Sequence, residues 1–419
     1  MGLIKTSLLN AIAVIVKILT ALGLNKVLAI YVGPSGYALI GQFQQALVIV
    51  SALAGQAIQN GVTKYTAEYG ADQSAQNRLW STAFVFGLGV ALLCGVALIL
   101  FSRPLSIQLL GSDEYQKVFF WLAAALPLLA INSLGLAVLN GRKEVVNYVS
   151  LNIALSILGA AIASLLAMWK GLYGALVALA ISQAVVGLLT IAVLIKKPWF
   201  QLKFQLASFN VSELRKLLGF GLMALVGAMV APAVQIAVRN FLIETQGASP
   251  VGQWHAVTRI SDVYLMFITT TLSVYLLPRV SETKSWSALK REMIKVYQLA
   301  LPAAFFMAVA IYLLRFQITP ILFDSSFVGM EVYYPLQLLA DFLKIGSWVL
   351  GFVMLGKAMV KWYVLAELLF GFSFLILGFW LGTDYGIEGV LLAQAINSAL
   401  FWLYCWLVIV KDLPSKMVV

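Results

Sequence analysis

Charge is scarce in this sequence. Only 11% of its 419 residues are Asp, Glu, Lys or Arg, where a soluble globular chain carries about 25%. Histidine is nearly absent, with His255 alone, and the two cysteines, Cys94 and Cys405, lie far apart in apolar runs without CxxC spacing. Such cysteines read as small buried core residues. No metal-ligand spacing, nucleophile motif or phosphate-binding glycine loop is present, so the chain is expected to be no enzyme and to use no cofactor or metal. His255 falls at the outer end of an apolar run and reads as an interfacial or packing residue. Met1 to Thr6 leads straight into a long apolar run, without the short core and small-residue site of a cleavable signal peptide, so none is expected.

What is abundant is apolar sequence: 62% of residues, with mean hydropathy +0.95. The expected class is an all-α polytopic membrane protein. Windows of about 20 apolar residues, enough to cross a bilayer, fall near 8–32, 36–62, 80–101, 118–140, 146–168, 172–195, 217–241, 252–278, 294–314, 335–356, 362–382 and 387–410. These twelve spans alternate their connecting segments between the two sides. With the N-terminus inside, eighteen of the 28 basic residues fall in cytoplasmic segments. Arg103, Lys117, Lys170 and Arg315 are the ones in outer loops or at their edges. That bias places both termini in the cytoplasm. It accounts for the net charge of +11 without a nucleic-acid partner.

The longest cytoplasmic connection divides the chain into a first lobe, 1–200 with spans one to six, a linker, 201–216, and a second lobe, 217–419 with spans seven to twelve. The halves resemble each other. Ile40-Gly41-Gln42-Phe43 recurs as Val251-Gly252-Gln253-Trp254. Gly141-Arg142 with Tyr148-Val149 recurs 215 positions later as Gly356-Lys357 with Tyr363-Val364. At that shift Gly171 and Gly174 match Gly386 and Gly389. An even-numbered duplication keeps its orientation, so the expected axis relating the lobes runs along the membrane normal. A cleft between them is the natural binding site.

The few charges inside the spans are therefore informative. A charged side chain at the centre of a membrane helix costs roughly 2.5–3.5 kcal/mol on insertion scales. Arg259 and Asp262, and again Asp341 and Lys344, stand three residues apart and can pair on one helix face. At 1.5 Å per residue, Lys17 lies about 14 Å from the inner surface, Asp262 about 15 Å from the outer one, and Asp341 and Lys344 about 9 and 14 Å from the outer one. Lys17, Asp262 and Lys344 are thus expected at one level. Lys26 emerges toward the outer face and can snorkel to the interface. Arg239 is near the outer end of span seven and Glu367 near the inner end of span eleven. These charges can be structural ion pairs locking helices together, or they can line a water-filled cavity. Counting Lys17, Lys26, Arg239, Arg259 and Lys344 against Asp262, Asp341 and Glu367 leaves five cations to three anions. Lys17 and Lys26 have no acid in any span of their own lobe. A cationic cavity suits an anionic cargo such as a phosphate or carboxylate.

Amides crowd span two, with Gln42, Gln44, Gln45, Gln56, Gln59 and Asn60; elsewhere they read as glue between helices, and here they also suit a sugar. Pro232 in span seven and Pro302 in span nine can bend their helices.

Several stretches resemble the Wzx-type polysaccharide flippases: Asn60-Gly61-Val62-Thr63-Lys64-Tyr65, Ile260-Ser261-Asp262 followed by Tyr264-Leu265 and Phe267-Ile268-Thr269, and Ser273-Val274-Tyr275-Leu276-Leu277-Pro278. Asp341 with Leu343-Lys344, Ala366-Glu367, Lys17, Lys26, and Pro232 with Arg239 also fit. The resemblance covers essentially the whole chain, and Arg259 departs from its pattern. It implies membership of the multidrug/oligosaccharidyl-lipid/polysaccharide exporter superfamily. That in turn implies two six-helix lobes forming a V around a central cavity, alternating between inward-open and outward-open states. The implied cargo is an undecaprenyl-pyrophosphate-linked oligosaccharide, an O-antigen or enterobacterial-common-antigen type repeat unit, moved to the periplasmic leaflet of the bacterial inner membrane.

The residues expected to touch this cargo are Lys17, Lys26, Asn60, Lys64, Arg239, Arg259, Asp262 and Lys344. Those expected to respond to a coupling ion are Asp262, Asp341 and Glu367. The expected partners are the lipid-linked glycan, the bilayer, and the polymerase and chain-length regulator of the same pathway; the expected state is monomeric. Two rival readings remain at this point: a cation-coupled multidrug antiporter of the same superfamily, whose cavity should be net negative, and a non-transporting scaffold of a glycan assembly complex.

Overall fold

A computed structural model describes residues 3–70, 72–200 and 209–414. Among them the chain is helical, with no β-strand. In lipid no water satisfies backbone N–H and C=O groups, so a chain this apolar must satisfy them within its helices. The α-helices are α1 (Leu3–Leu53), α2 (Gln59–Glu68), α3 (Gln73–Leu100), α4 (Ser102–Leu110), α5 (Gln116–Gly141), α6 (Val145–Ile195), α7 (Val211–Gln246), α8 (Ala248–Thr271), α9 (Leu277–Glu282), α10 (Trp286–Leu322), α11 (Tyr334–Gly356) and α12 (Val360–Asp412).

Eight helical stretches are long and apolar enough to cross a membrane. Three of them are pairs joined across a glycine: Gly33 in α1 (φ 68°), Gly171 in α6 (φ 56°) and Gly386 in α12 (φ 60°). Residues with a Cβ pay roughly 1–2 kcal/mol for that left-handed backbone, so glycine sets where each long helix breaks. Counting both arms of those three and adding α8, which is more polar than the others, the described residues hold twelve helical segments at the positions where hydropathy predicts spans.

The second crossing ends earlier than expected. Its helix stops at Leu53, Gly55 turns left-handed (φ 114°), a 3-10 turn spans Gln56–Ile58, and α2 starts at Gln59. Asn60 and Lys64 are therefore on a separate short helix beyond the break. The crowded amides fall at this same place: the Gln56 amide nitrogen donates to Gln183 Oε1 at 3.4 Å, which makes them partly the means of supporting a broken helix.

Of the expected linker, residues 201–208 lie outside the described residues. Its last part, from Val211, is already the start of α7, because the Asn210 carboxamide accepts from the backbone N–H groups of Ser212 (2.8 Å) and Glu213 (3.2 Å), the N-cap arrangement.

By spatial proximity the chain forms two compact units. The first comprises Met1–Gly33 and Leu39–Ala233, the second Pro34–Ala38 and Val234–Val419. The division inside α7 falls one residue after Pro232, which lacks the N–H its helix would use. The first unit is centred on Leu79, Trp80, Leu134 and Leu217, the second on Val238, Trp254, Ile387 and Val390.

Backbone geometry repeats at the same shift of 215 positions. At the end of α5, Lys143 takes φ 58° while its N–H donates to the Asn140 carbonyl (3.0 Å) and the Glu144 N–H donates to that of Leu139 (2.8 Å). At the end of α11, Ala358 takes φ 51°, its N–H donates to Leu355 (3.0 Å), and the Met359 N–H donates to Met354 (2.9 Å). Both are Schellman caps, which usually carry glycine at the left-handed position. Gly171 and Gly386 share ψ as well, −135° and −136°. Three residues later, a Cβ on Gly174 would strike the carbonyl of Leu166, and one on Gly389 that of Leu381. The two units thus share one backbone pattern at these positions.

Candidate functional site

The polar core of the second unit is assembled by α7, α8 and α11. Trp254, Ser261, Tyr264, Leu265 and Ile268 form the buried face of α8, a spacing that follows its 3.6-residue repeat. Opposite, on α11, Gln337 and Asp341 are four residues apart and both buried, at 2% and 1% exposure. The Tyr264 hydroxyl donates to Asp341 Oδ2 at 2.6 Å, and the Gln337 amide nitrogen donates to Oδ1 at 3.0 Å. Gln337 Oε1 in turn accepts from the Trp254 indole N–H at 3.3 Å. Both carboxylate oxygens of Asp341 are thus supplied with donors, as a buried carboxylate requires.

Asp341 and Lys344 do not pair as their spacing suggested. Asp341 looks to Tyr264 and Gln337, while the Lys344 ammonium sits 5.0 Å from the centre of the Trp348 ring. The other expected pair does form: Arg259 Nη1 is 3.5 Å from Asp262 Oδ2, with Asp262 largely exposed.

Arg239, from α7, is 3% exposed, and its guanidinium lies 5.3 Å from the Trp254 ring. Its Nε and Nη1 have no hydrogen-bond partner among the described residues. Beside it, His255 is equally buried: its Nδ1 is 3.2 Å from the Thr258 hydroxyl, Nε2 has no partner among the described residues, and its ring lies 5.3 Å from that of Tyr37. Tyr37 packs edge-on against Phe323 and Phe327. Arg239, Arg259 and Asp262 are close enough to act on one another electrostatically, so this corner carries two cations to one anion. A buried guanidinium with open donors, held beside an indole, is suited to receive an oxyanion.

The remaining candidates are elsewhere. Lys17 is exposed and Lys26 half-buried on the first arm of α1, in the first unit. Asn60 is exposed on α2, as is Lys64, which sits 4.0 Å from Glu68 and 4.8 Å from the Tyr65 ring. Glu367 lies with Tyr363 on the first arm of α12, beside Cys405 on the second, toward the ends of the arms away from Gly386, apart from Asp262 and Asp341. The sequence reading names Trp254, His255 and Tyr264 without placing them in the site, and does not single out Gln337. The helical spacing of Gln337 with Asp341, and of Trp254, Ser261 and Tyr264 along α8, was the signal available.

The family profile described as "Polysaccharide biosynthesis protein" matches residues 3–284. The lipid III flippase of Escherichia coli (strain K12) is 31% identical over 410 residues, covering 97% of each chain, and that of Shigella flexneri matches equally. Among solved structures, the lipid II flippase MurJ in an inward closed conformation aligns with a TM-score of 0.77 at 14% identity, covering 99% of this chain and 88% of that one. An inward-facing multidrug resistance MATE family transporter of the MOP superfamily aligns with a TM-score of 0.75 at 16% identity, covering 94% of both.

Proposed function

The chain belongs to the polysaccharide biosynthesis protein family, and from that membership we propose that it is a flippase for lipid-linked oligosaccharide in the bacterial inner membrane. It transports rather than catalyses, moving an undecaprenyl-pyrophosphate-linked repeat unit of the O-antigen or enterobacterial-common-antigen type from the cytoplasmic to the periplasmic leaflet by alternating access. Both termini are cytoplasmic in this reading, as the distribution of Lys and Arg supports.

One observation carries the reading: Arg239, a buried guanidinium whose Nε and Nη1 have no hydrogen-bond partner, and which forms no ion pair, among the described residues. Isolated charges in the membrane persist where function uses them, and a pyrophosphate supplies the missing oxygens. Arg239, Lys17 and Lys26 are the cations assigned to the pyrophosphate. Asn60 and Lys64 are assigned to the glycan's path. Arg259 serves as the local counter-ion of Asp262, with Lys344 beside Asp341; Asp262, Asp341 and Glu367 are the acids that respond to a coupling ion. The pathway's polymerase and chain-length regulator receive the product. A cation antiporter calls for net negative charge, and the excess here has the opposite sign.

The test is reconstitution of the full chain in vesicles whose inner leaflet holds a fluorescent undecaprenyl-pyrophosphate-linked repeat unit, with an impermeant reagent outside. The expected result is protein-dependent loss of protection, slowed by Lys17→Ala and Asp262→Asn. Wild-type vesicles that keep the lipid protected would overturn the transport reading. Wild-type rates in both variants would overturn the site.

A further inference from the structure

Beside the polar core, the second unit holds a cavity of about 540 Å³ between the inner part of α8 and α10. One wall is formed by Ile268, Leu272 and Tyr275, the other by Lys295, Leu299 and Ala303. The lining is apolar except near one end. There the Lys295 ammonium is 3.2 Å from Glu292, the Tyr275 hydroxyl donates to the same carboxylate at 3.4 Å, and the Arg279 guanidinium lies 5.4 Å from the Tyr275 ring. That rim carries two cations and one anion.

The wall on the α8 side is irregular for a local reason. Thr269, Thr270 and Thr271 each return their hydroxyl to a carbonyl one turn back, at 3.1, 2.7 and 2.9 Å, a bonding that loosens and bends helices. The chain then enters a π-helical turn, Leu272–Leu276. Such turns are rare and frequent at functional sites. Leu272 and Tyr275, both within it, line the cavity.

From Lys295 to Met307, another lining residue, the helical rise gives about 18 Å, a little over half of a hydrocarbon core about 30 Å thick. The cavity therefore matches the depth of one leaflet, cationic at the surface end and apolar toward the midplane. In the orientation proposed above, that surface is cytoplasmic.

We infer that this groove holds the proximal part of the polyprenyl chain of the lipid-linked substrate, with Lys295 and Arg279 near its phosphate as it is loaded from the cytoplasmic leaflet. The inference rests on the flippase reading and adds to it a protein site for the lipid tail. Its volume lies within the range of small-ligand pockets, about 300–1,000 Å³, and the net positive rim selects an anionic headgroup.

The experiment uses the purified full chain in vesicles and an undecaprenyl diphosphate bearing a photoreactive group near the phosphate end of the chain, with labelled peptides located by mass spectrometry. The expected labels fall on 267–276 and 295–307 and are displaced by unlabelled undecaprenyl diphosphate but not by phosphatidylglycerol. Ala303→Trp, which fills the groove, should lower labelling about tenfold, equivalent to 1.4 kcal/mol of binding; Lys295→Gln should lower it about threefold. If Ala303→Trp does not elute as a monodisperse peak, Leu299→Gln, at a position 70% exposed, gives the same readout. Labels elsewhere, equal displacement by phosphatidylglycerol, or wild-type labelling in a folded groove variant would overturn the inference. Wild-type transport of lipid-linked glycan without groove labelling sinks the groove alone. A wild-type protein that moves no glycan sinks the flippase reading, whatever is labelled.

Discussion

Replacing Arg239 by methionine separates a substrate-binding cation from a structural one by the sign of its effect on stability. If Arg239 held helices together through a buried ion pair, losing it would strand a partner charge and cost about 3–5 kcal/mol. Among the described residues it has no such partner: Nε and Nη1 have no hydrogen-bond acceptor there, and the guanidinium lies 5.3 Å from the Trp254 ring. A charge at the centre of a membrane helix costs roughly 2.5–3.5 kcal/mol, an upper bound for Arg239 near the outer end of its span, and a desolvated cation–π contact returns about 2 kcal/mol. The difference, at most about 1 kcal/mol, is the amount by which Arg239→Met should stabilise the ligand-free protein, since methionine fills similar space against the indole. Substrate binding should move the other way. Charge-assisted hydrogen bonds contribute about 1.5–3 kcal/mol, so affinity for undecaprenyl diphosphate should fall roughly 10- to 150-fold. Thermal unfolding in detergent, with and without that ligand, reads both quantities. A variant clearly less stable than wild type without ligand, and still stabilised by ligand to the wild-type extent, would refute the reasoning.

Ala358→Gly and Lys143→Gly should each stabilise the protein by about 0.5–1 kcal/mol, because both positions hold the left-handed backbone that penalises a Cβ; a lower melting temperature in both would contradict this. Gly171→Ala and Gly386→Ala should destabilise by about 1–2 kcal/mol, with the larger effect at Gly386, where the new methyl would also meet the Gln246 amide; melting curves of the two variants compare them directly. At Glu144, the hydrogen bond from the Lys197 ammonium, 2.9 Å away, holds the carboxyl below its usual range. A depressed folded-state value means that the pair's contribution is complete above the unfolded value of about 4.3 and is lost as pH falls through the folded one. Glu144→Gln should therefore lower the melting temperature at neutral pH by an amount that shrinks on acidification, and a deficit that grows toward low pH would reverse the assignment.

What the sequence made legible is what depends on one helix at a time. Hydropathy located the crossings because each helix must bury its own backbone bonds, and Gly33, Gly171 and Gly386 end three of them because only glycine takes that backbone cheaply. The duplication was visible in the pairs Gly171 and Gly174 against Gly386 and Gly389. Its firmest element was invisible, since Lys143 and Ala358 share a backbone and no chemistry. Gly55 ends a crossing inside a run of small residues and amides with no hydropathy signal. The Arg259–Asp262 pair was readable because its members share a helix; Asp341 and Lys344 were misjudged as a pair because spacing permits a bond without choosing it. Tyr264 and Gln337 made the better offer to Asp341, and that follows only from how α8 packs on α11. The same holds for Arg239 and Trp254, fifteen residues apart on two helices. Counting charges along the sequence found the positive excess but could not say which cation lacked a partner. Asp262 takes Arg259, and Tyr264 and Gln337 occupy Asp341, so among the described residues no acid forms an ion pair with Arg239. That is why the function proposed above assigns this guanidinium to the anion of the substrate.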